Sequence, residues 1–352
     1  MKKSVLLVAV CITIAFGLIS CRGDNSSTGI IMPKTGSWSS GEPMPTARSW
    51  AASAVVGTDI YVIGGSTNAP YVYNAFEKYD TTTNAWTSLP AMPFQAFLMR
   101  GASVGGVIYI FGGSTTQLVY RYDPASGIWT ALNNMPYLNW MGVPAVVNNK
   151  VYIFGGIDSA DVVLNTTLEY DPSTDTWTTK ASMPTARYAP ATAVYNNKIY
   201  VLGGNYGGNK NEIYDPATDT WQTKANIPFR NYGWGVAGAL NGHIYFVDSD
   251  TSNMAVYAPS TNSWRSVSGL NIPRDYLAGE AVNGELYVIG GFVSSTATKL
   301  NIVDRYTPPA SLSPALGSPA FESMGLQEDH SDYHNRMHRA DAEALKFISS
   351  AH

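Results

Sequence analysis

Cysteine is nearly missing from this chain: two occur in 352 residues, Cys11 and Cys21, inside and just after an apolar N-terminal run. With that segment set aside, the remaining body can form no disulfide, no thiolate metal site and no cysteine nucleophile. Charge is scarce as well, at 14% of residues, and Asp plus Glu outnumber Lys plus Arg by 26 to 22. A formal charge of -4 offers no basic field to gather phosphates, so nucleic acid is not an expected partner. The apolar run from Val5 to Ile19 is too short for a comfortable membrane span.

What is abundant is Gly (32), Tyr (22), Pro (20) and Trp (9), a composition of short strands and tight turns rather than long amphipathic helices. Six segments align. Trp38, Trp86, Trp129, Trp177, Trp221 and Trp264 recur at gaps of 48, 43, 48, 44 and 43 residues. Between them stand Gly64-Gly65, Gly112-Gly113, Gly155-Gly156, Gly203-Gly204 and Gly290-Gly291, with Asp248-Ser249 in the fifth place. Each pair ends an apolar run such as Ile60-Tyr61-Val62-Ile63 or Val151-Tyr152-Ile153-Phe154, which reads as a strand buried on both faces. Tyr122-Asp123-Pro124, Tyr170-Asp171-Pro172 and Tyr214-Asp215-Pro216 then mark a hairpin leading into the Trp strand, since Asp accepts backbone hydrogen bonds and Pro presets φ. The unit is four strands, a to d, with small residues in strand a, where a crowded central axis admits nothing larger.

The double Gly, the following Tyr and the spaced Trp resemble the Kelch repeat, over residues 37 to 309. The resemblance implies an all-β fold, a six-bladed Kelch-type β-propeller closed by an N-terminal strand. The chain begins with a Trp strand and ends on Tyr306 without a seventh Trp, so the first strand completes the last blade and pairs its open edge. The fifth repeat departs from the pattern, which leaves its b-to-c loop geometry open.

In such a propeller the d-to-a and b-to-c loops share one rim, where Kelch propellers bind ligands. Counting sixteen residues back from each Gly pair gives Arg48, Ala96, Asn139, Arg187, Tyr232 and Arg274, flanked by Trp50, Trp140, Tyr188, Trp234, Asp275 and Tyr276. As a ring, three arginines form an anion-selective mouth, and the aromatic faces suit sugars or extended peptides. The competing reading has the arginines bracing loops and the aromatics filling the core. Long b-to-c loops, carrying Tyr71 and Tyr73, Asp158 and Asp161, add material to that rim. Gly101-Ala102-Ser103-Val104-Gly105 has the spacing of a hydrolase elbow but falls within a strand a, so no esterase is implied. His330, His334 and His338 repeat every four residues without a closed pocket, and no metal or other cofactor is expected.

The N-terminus combines Lys2-Lys3, the apolar run and Leu18-Ile19-Ser20-Cys21, which resembles the lipobox of bacterial lipoproteins. That resemblance implies a signal peptide at 1–20, an acylated Cys21 and a tether over 21–36. Arg22-Gly23-Asp24 beside the lipid is a spacer. The propeller spans 37–309, and 310–352 is a linker and polar His-rich tail. The expectation is a lipid-anchored binding module of the cell envelope, at the outer membrane, taking a protein, peptide or glycan at the rim and touching the membrane through its lipid alone. The alternative is a carbohydrate-active enzyme, since size, export and blade number also resemble the periplasmic Kelch-type N-acetylneuraminate epimerase (mutarotase). A Glu or His paired with Arg at the rim would favour that class, and Glu212 near Arg187 is the nearest candidate.

Overall fold

The structure, a computed structural model, describes residues 36–68, 74–113, 116–249 and 251–310; Cys21, Tyr71, Tyr73 and the histidine triplet lie outside them. Six four-stranded antiparallel sheets follow one another along the chain. Blade one runs Ala52–Val56, Asp59–Ile63, Phe76–Asp80 and Ala85–Ser88, as strands a to d. The strands a of blades two to five are Met99–Val104, Val143–Val147, Ala191–Tyr195 and Val236–Leu240. Blade six takes Ala278–Val282, Glu285–Ile289 and Val303–Thr307 from the end of the sequence and Ser37–Ser40 from its beginning. Ser37–Ser40 pairs antiparallel with Val303–Thr307, Trp38 opposite Tyr306, so the ring is closed by the N-terminal strand as the repeat order requires. Among the described residues no helix is long and apolar enough to cross a membrane.

The recurring residues each do one job. Every repeat Trp packs, with tilted ring planes, against the strand-c Tyr of its own blade, with ring centroids 4.8–5.2 Å apart in all six. In five blades its indole N–H also donates to a carbonyl in the loop arriving from the preceding blade: Trp38 to Ser268, Trp86 to Glu42, Trp177 to Asn133, Trp221 to Ala181, Trp264 to Ala225. The apolar body thus fills the interblade core while the polar edge ties blade to blade. At the c-to-d hairpin, Asp171 and Asp215 accept the backbone N–H groups of Ser173 and Ala217 at 2.9 and 3.1 Å, the turn chemistry the Asp-Pro signature encodes.

The Gly pairs end strand b with both residues at positive φ, and a side chain on Gly65 would sit 2.6 Å from the Ser49 carbonyl. In blade five the pair is replaced by side-chain bonds. Asp248 accepts from Asn231 and Thr251, both at 2.5 Å, and Ser249 donates to the Gly233 carbonyl at 2.7 Å, so the loop is held without the left-handed pair.

Removing residues up to Ser40 should therefore leave strand c of blade six as an open edge and abolish cooperative, monomeric unfolding, read by calorimetry and light scattering. Trp38→Ala, which keeps the strand, should cost about 2 kcal/mol, part of the usual loss for a large aromatic because this ring is half-buried.

Candidate functional site

The three rim arginines are not a mouth. Arg48, Arg187 and Arg274 are at most 2% exposed, and each holds a carboxylate from strand c of its own blade: Glu77 at 2.6 Å, Glu212 at 2.5 Å and Asp304 at 2.8 Å. Further donors go to strand-b and Gly-pair carbonyls, Arg48 to Val62, Arg187 to Gly203 and Arg274 to Gly290, and to the loop carbonyls of Thr46, Thr185 and Ile272. Burial lowers each guanidinium's pKa and the carboxylate offsets part of that. An anion from solvent finds no open fork here, and the Arg187–Glu212 pair, considered for proton transfer, is a structural ion pair. Asn139 makes the shorter version of the same brace, donating to the Gly155 carbonyl at 2.8 Å. In blade five the brace is Asn231 rather than Tyr232; the Tyr232 ring is half-buried with the Arg230 guanidinium 5.7 Å from its centroid.

The aromatics do converge. Trp50, Trp140, Tyr188, Trp234 and Tyr276 belong to one apolar cluster drawing on all six blades. Trp50 and Tyr276 pack at 4.7 Å and Tyr276 and Trp234 at 5.1 Å, while Asp275, buried beside them, pairs its N–H with the Phe292 carbonyl. Six residues of this cluster occupy one repeat position, fourteen before the Gly pair: Trp50, Leu98, Met141, Ala189, Trp234 and Tyr276. All six have φ between 47° and 64°. Their backbones hand hydrogen bonds around the ring: Trp50 N–H to Tyr276 O, Leu98 to Trp50, Ala189 to Met141 and Trp234 to Ala189, at 2.8–3.3 Å. Non-glycine residues held left-handed at one rim are a common mark of a functional or load-carrying ring.

Beneath that ring the six strands a enclose an axial cavity of about 340 Å³. Its wall is mostly alanine, valine, glycine, proline and small hydroxyl residues, with Trp234 and Leu277 among them, and only Arg100 and Glu280 among its lining residues are charged. Arg100, on strand a of blade two, reaches across the axis to blade five, its guanidinium carbon 4.5 Å from the Trp234 ring centroid. None of its nitrogens has a hydrogen-bond acceptor among the described residues, and Nε is buried. Burial pulls its pKa down to about 10, which leaves it charged at neutral pH. Glu280, on strand a of blade six, accepts from Ser53 Oγ at 2.8 Å, and burial pushes its pKa up to about 7.

The sequence did hold a signal for these two. Twelve residues before each Gly pair stand Ala52, Arg100, Val143, Ala191, Val236 and Ala278; ten before stand Ala54, Ala102, Ala145, Ala193, Gly238 and Glu280. Arg100 and Glu280 are the exceptions in two columns of small apolar residues. Gly101-Ala102-Ser103-Val104 lies in the same strand a as Arg100, as its repeat position requires.

A family model for the KLHDC2/KLHL20/DRC7 Kelch-repeats domain matches residues 102–291, more than half of the chain, and a Kelch motif model matches residues 47–93. Kelch-like protein 21 of Danio rerio is 38% identical over 85 residues, 23% of this chain; the chain spans only 14% of that relative's length. A solved structure titled "Structure of YjhT" superimposes with a TM-score of 0.66 at 18% identity, covering 74% of this chain and 95% of the other, a likeness of fold.

Arg48→Ala should leave the Glu77 carboxylate buried without its partner and cost about 3–5 kcal/mol in chemical unfolding, while Arg48→Met with Glu77→Leu should recover most of it. For Glu280 the sign is set by a carboxyl raised above its ordinary value of 4.5. Its contribution is fully present below pH 4.5 and is lost as pH rises through about 7. Glu280→Gln should therefore match the parent chain in melting temperature at pH 4.5 and exceed it by roughly 2–4 °C at pH 8.

Proposed function

Because the chain belongs to the Kelch-repeat family, we propose that it works as a binding module, lipid-tethered at Cys21 in the bacterial cell envelope, that takes a protein, peptide or glycan at the rim of d-to-a and b-to-c loops. One observation carries the choice of rim. Of the four large hydrophobic residues exposed among the described residues, Val162 (54%), Tyr206 (65%) and Ile272 lie in loops of that rim. Val162 and Tyr206 belong to the b-to-c loops of adjacent blades three and four.

These groups stand on rigid supports. Asp158 ties its own loop through the N–H groups of Ala160 and Val162 at 2.8 and 2.9 Å. Asn205 donates to the Tyr188 hydroxyl at 2.6 Å and accepts from the Tyr206 N–H at 3.0 Å, and the Tyr188 and Tyr206 rings lie 6.1 Å apart. An exposed aromatic on a preorganised loop loses little entropy on binding, which suits an anchor residue. The arginines, spent on their carboxylates, serve this rim by holding its loops in place.

Screening the full chain on glycan and peptide arrays, followed by titration of the strongest array ligand, tests this reading. Tyr206→Ala with Val162→Ser should weaken that ligand by about tenfold or more with the melting temperature unchanged, since both side chains are exposed. An unchanged affinity would remove the rim from consideration. Cys21→Ala should move the chain from the membrane to the soluble fraction; retention after detergent-free washing would overturn the tether.

A further inference from the structure

We propose that the axial cavity is a second binding site, for a small organic zwitterion whose carboxylate meets Arg100 and whose ammonium meets Glu280, entered from the face opposite the ligand rim.

The cavity has one end stopped. At the rim end the six left-handed residues and their side chains close over the axis, five of them at most 6% exposed and Trp50 half-buried. Toward the a-to-b turns the wall residues Val55, Ser103, Val146, Val194 and Ala281 are more exposed. A ligand therefore arrives from the a-to-b face and comes to rest under the ring, where Arg100 crosses the axis. About 340 Å³ lies at the small end of ligand pockets, the size for a metabolite rather than a peptide side.

The electrostatics select the ligand. The three arginines that are at most 2% exposed, Arg48, Arg187 and Arg274, are each given a carboxylate. Arg100 is given only the face of Trp234, which positions the fork without filling it. Its donors match a carboxylate, the geometry a guanidinium holds best. Glu280 sits on another wall with Oε1 bonded by Ser53, and no described residue donates to Oε2. No ion pair joins Arg100 to Glu280, so each charge is open to a ligand group of the opposite sign. A molecule carrying both signs satisfies both charges at once, and its neutral total avoids leaving either wall uncompensated.

The separation of the two receiving groups is read by a ruler of probes. The full chain is titrated calorimetrically with ω-amino carboxylates from glycine to 6-aminohexanoate, and with acetate and methylammonium alone. One chain length should bind about tenfold or more tighter than acetate or methylammonium. Arg100→Met should abolish binding of every probe carrying a carboxylate. Glu280→Gln should weaken the best zwitterion by about tenfold while leaving acetate unchanged. Arg100→Met also removes a desolvated, uncompensated charge, so its melting temperature should equal or exceed that of the parent chain. Flat affinity across the series, or binding untouched by Arg100→Met, overturns the site. So does a fall in melting temperature for both Arg100→Met and Arg100→Lys with no probe bound by the parent chain, which would make the guanidinium a strut for Trp234. The rim test is read on Tyr206 and Val162, so the two readings fail separately.

Discussion

Around the axis the innermost strands approach until backbone meets side chain. A side chain on Gly101 would run into the Ser53 carbonyl of the neighbouring blade, and one on Gly238 would collide with Ala281. That closeness lets strand a of one blade hydrogen-bond its neighbour through short side chains, Ser103 to the Val55 carbonyl and Thr192 to the Pro144 carbonyl. It also sets the chemistry of the centre. A wall made mostly of small residues leaves a narrow cavity, and in that cavity a long polar side chain has a commanding position. Arg100 and Glu280 are such side chains.

Away from the axis the spacing between blades widens and the residues change to match. Tyr–Trp pairs fill the wide outer part of each interface, with the indole N–H bonding the incoming loop in five of the six. At the rim, where strand b turns toward strand c, the chain needs a clasp, and it uses three kinds. Arg with a carboxylate serves blades one, four and six, Asn139 serves blade three, and an Asn231–Asp248 pair serves blade five. The carboxylates appear only where the arginines do. Glu77, Glu212 and Asp304 stand opposite Val62, Val201 and Val288, whereas blades two, three and five have Tyr120, Leu168 and Ala255 at that register.

The blade count, the closure and the four-strand unit were legible because Trp, Gly-Gly and Tyr-Asp recur at spacings no other fold requires. The roles of the rim arginines were half-legible. Their shared repeat position said that they form a set, but a set of braces and a set of ligands have the same spacing. The co-occurring acid in strand c separates the two, since a brace needs its counter-ion built in and a receptor site needs it absent. By the same rule Arg100, whose row across strands b and c holds Phe111 and Val119 and no acid, reads as a receptor. The ring of left-handed residues was not legible at all: Trp, Leu, Met, Ala and Tyr give no sign of positive φ, which sequence reasoning expects at Gly or Asn.

That ring can be weighed. A left-handed non-glycine residue costs about 1–2 kcal/mol, so six cost roughly 6–12 kcal/mol, comparable to the whole stability of a domain. A blade-to-blade hydrogen bond returns about 1 kcal/mol each, which is too little by itself. Burial decides the balance, at roughly 1.5–3 kcal/mol for each large apolar side chain folded into the common cluster. Glycine would relieve the strain but surrender the burial and leave a hole at the end of the axis. The side chains at this position therefore serve as the stopper, and the strain is the cost of aiming them inward. A stopper separates the two faces: the rim above presents exposed groups on braced loops, and the cavity below opens the other way with its two unpaired charges. Trp234 touches both, as a member of the ring and as the surface on which Arg100 rests. Whatever neutralises Arg100 from below changes the charge pressed against a residue of the rim, so the two faces are chemically joined at that single ring.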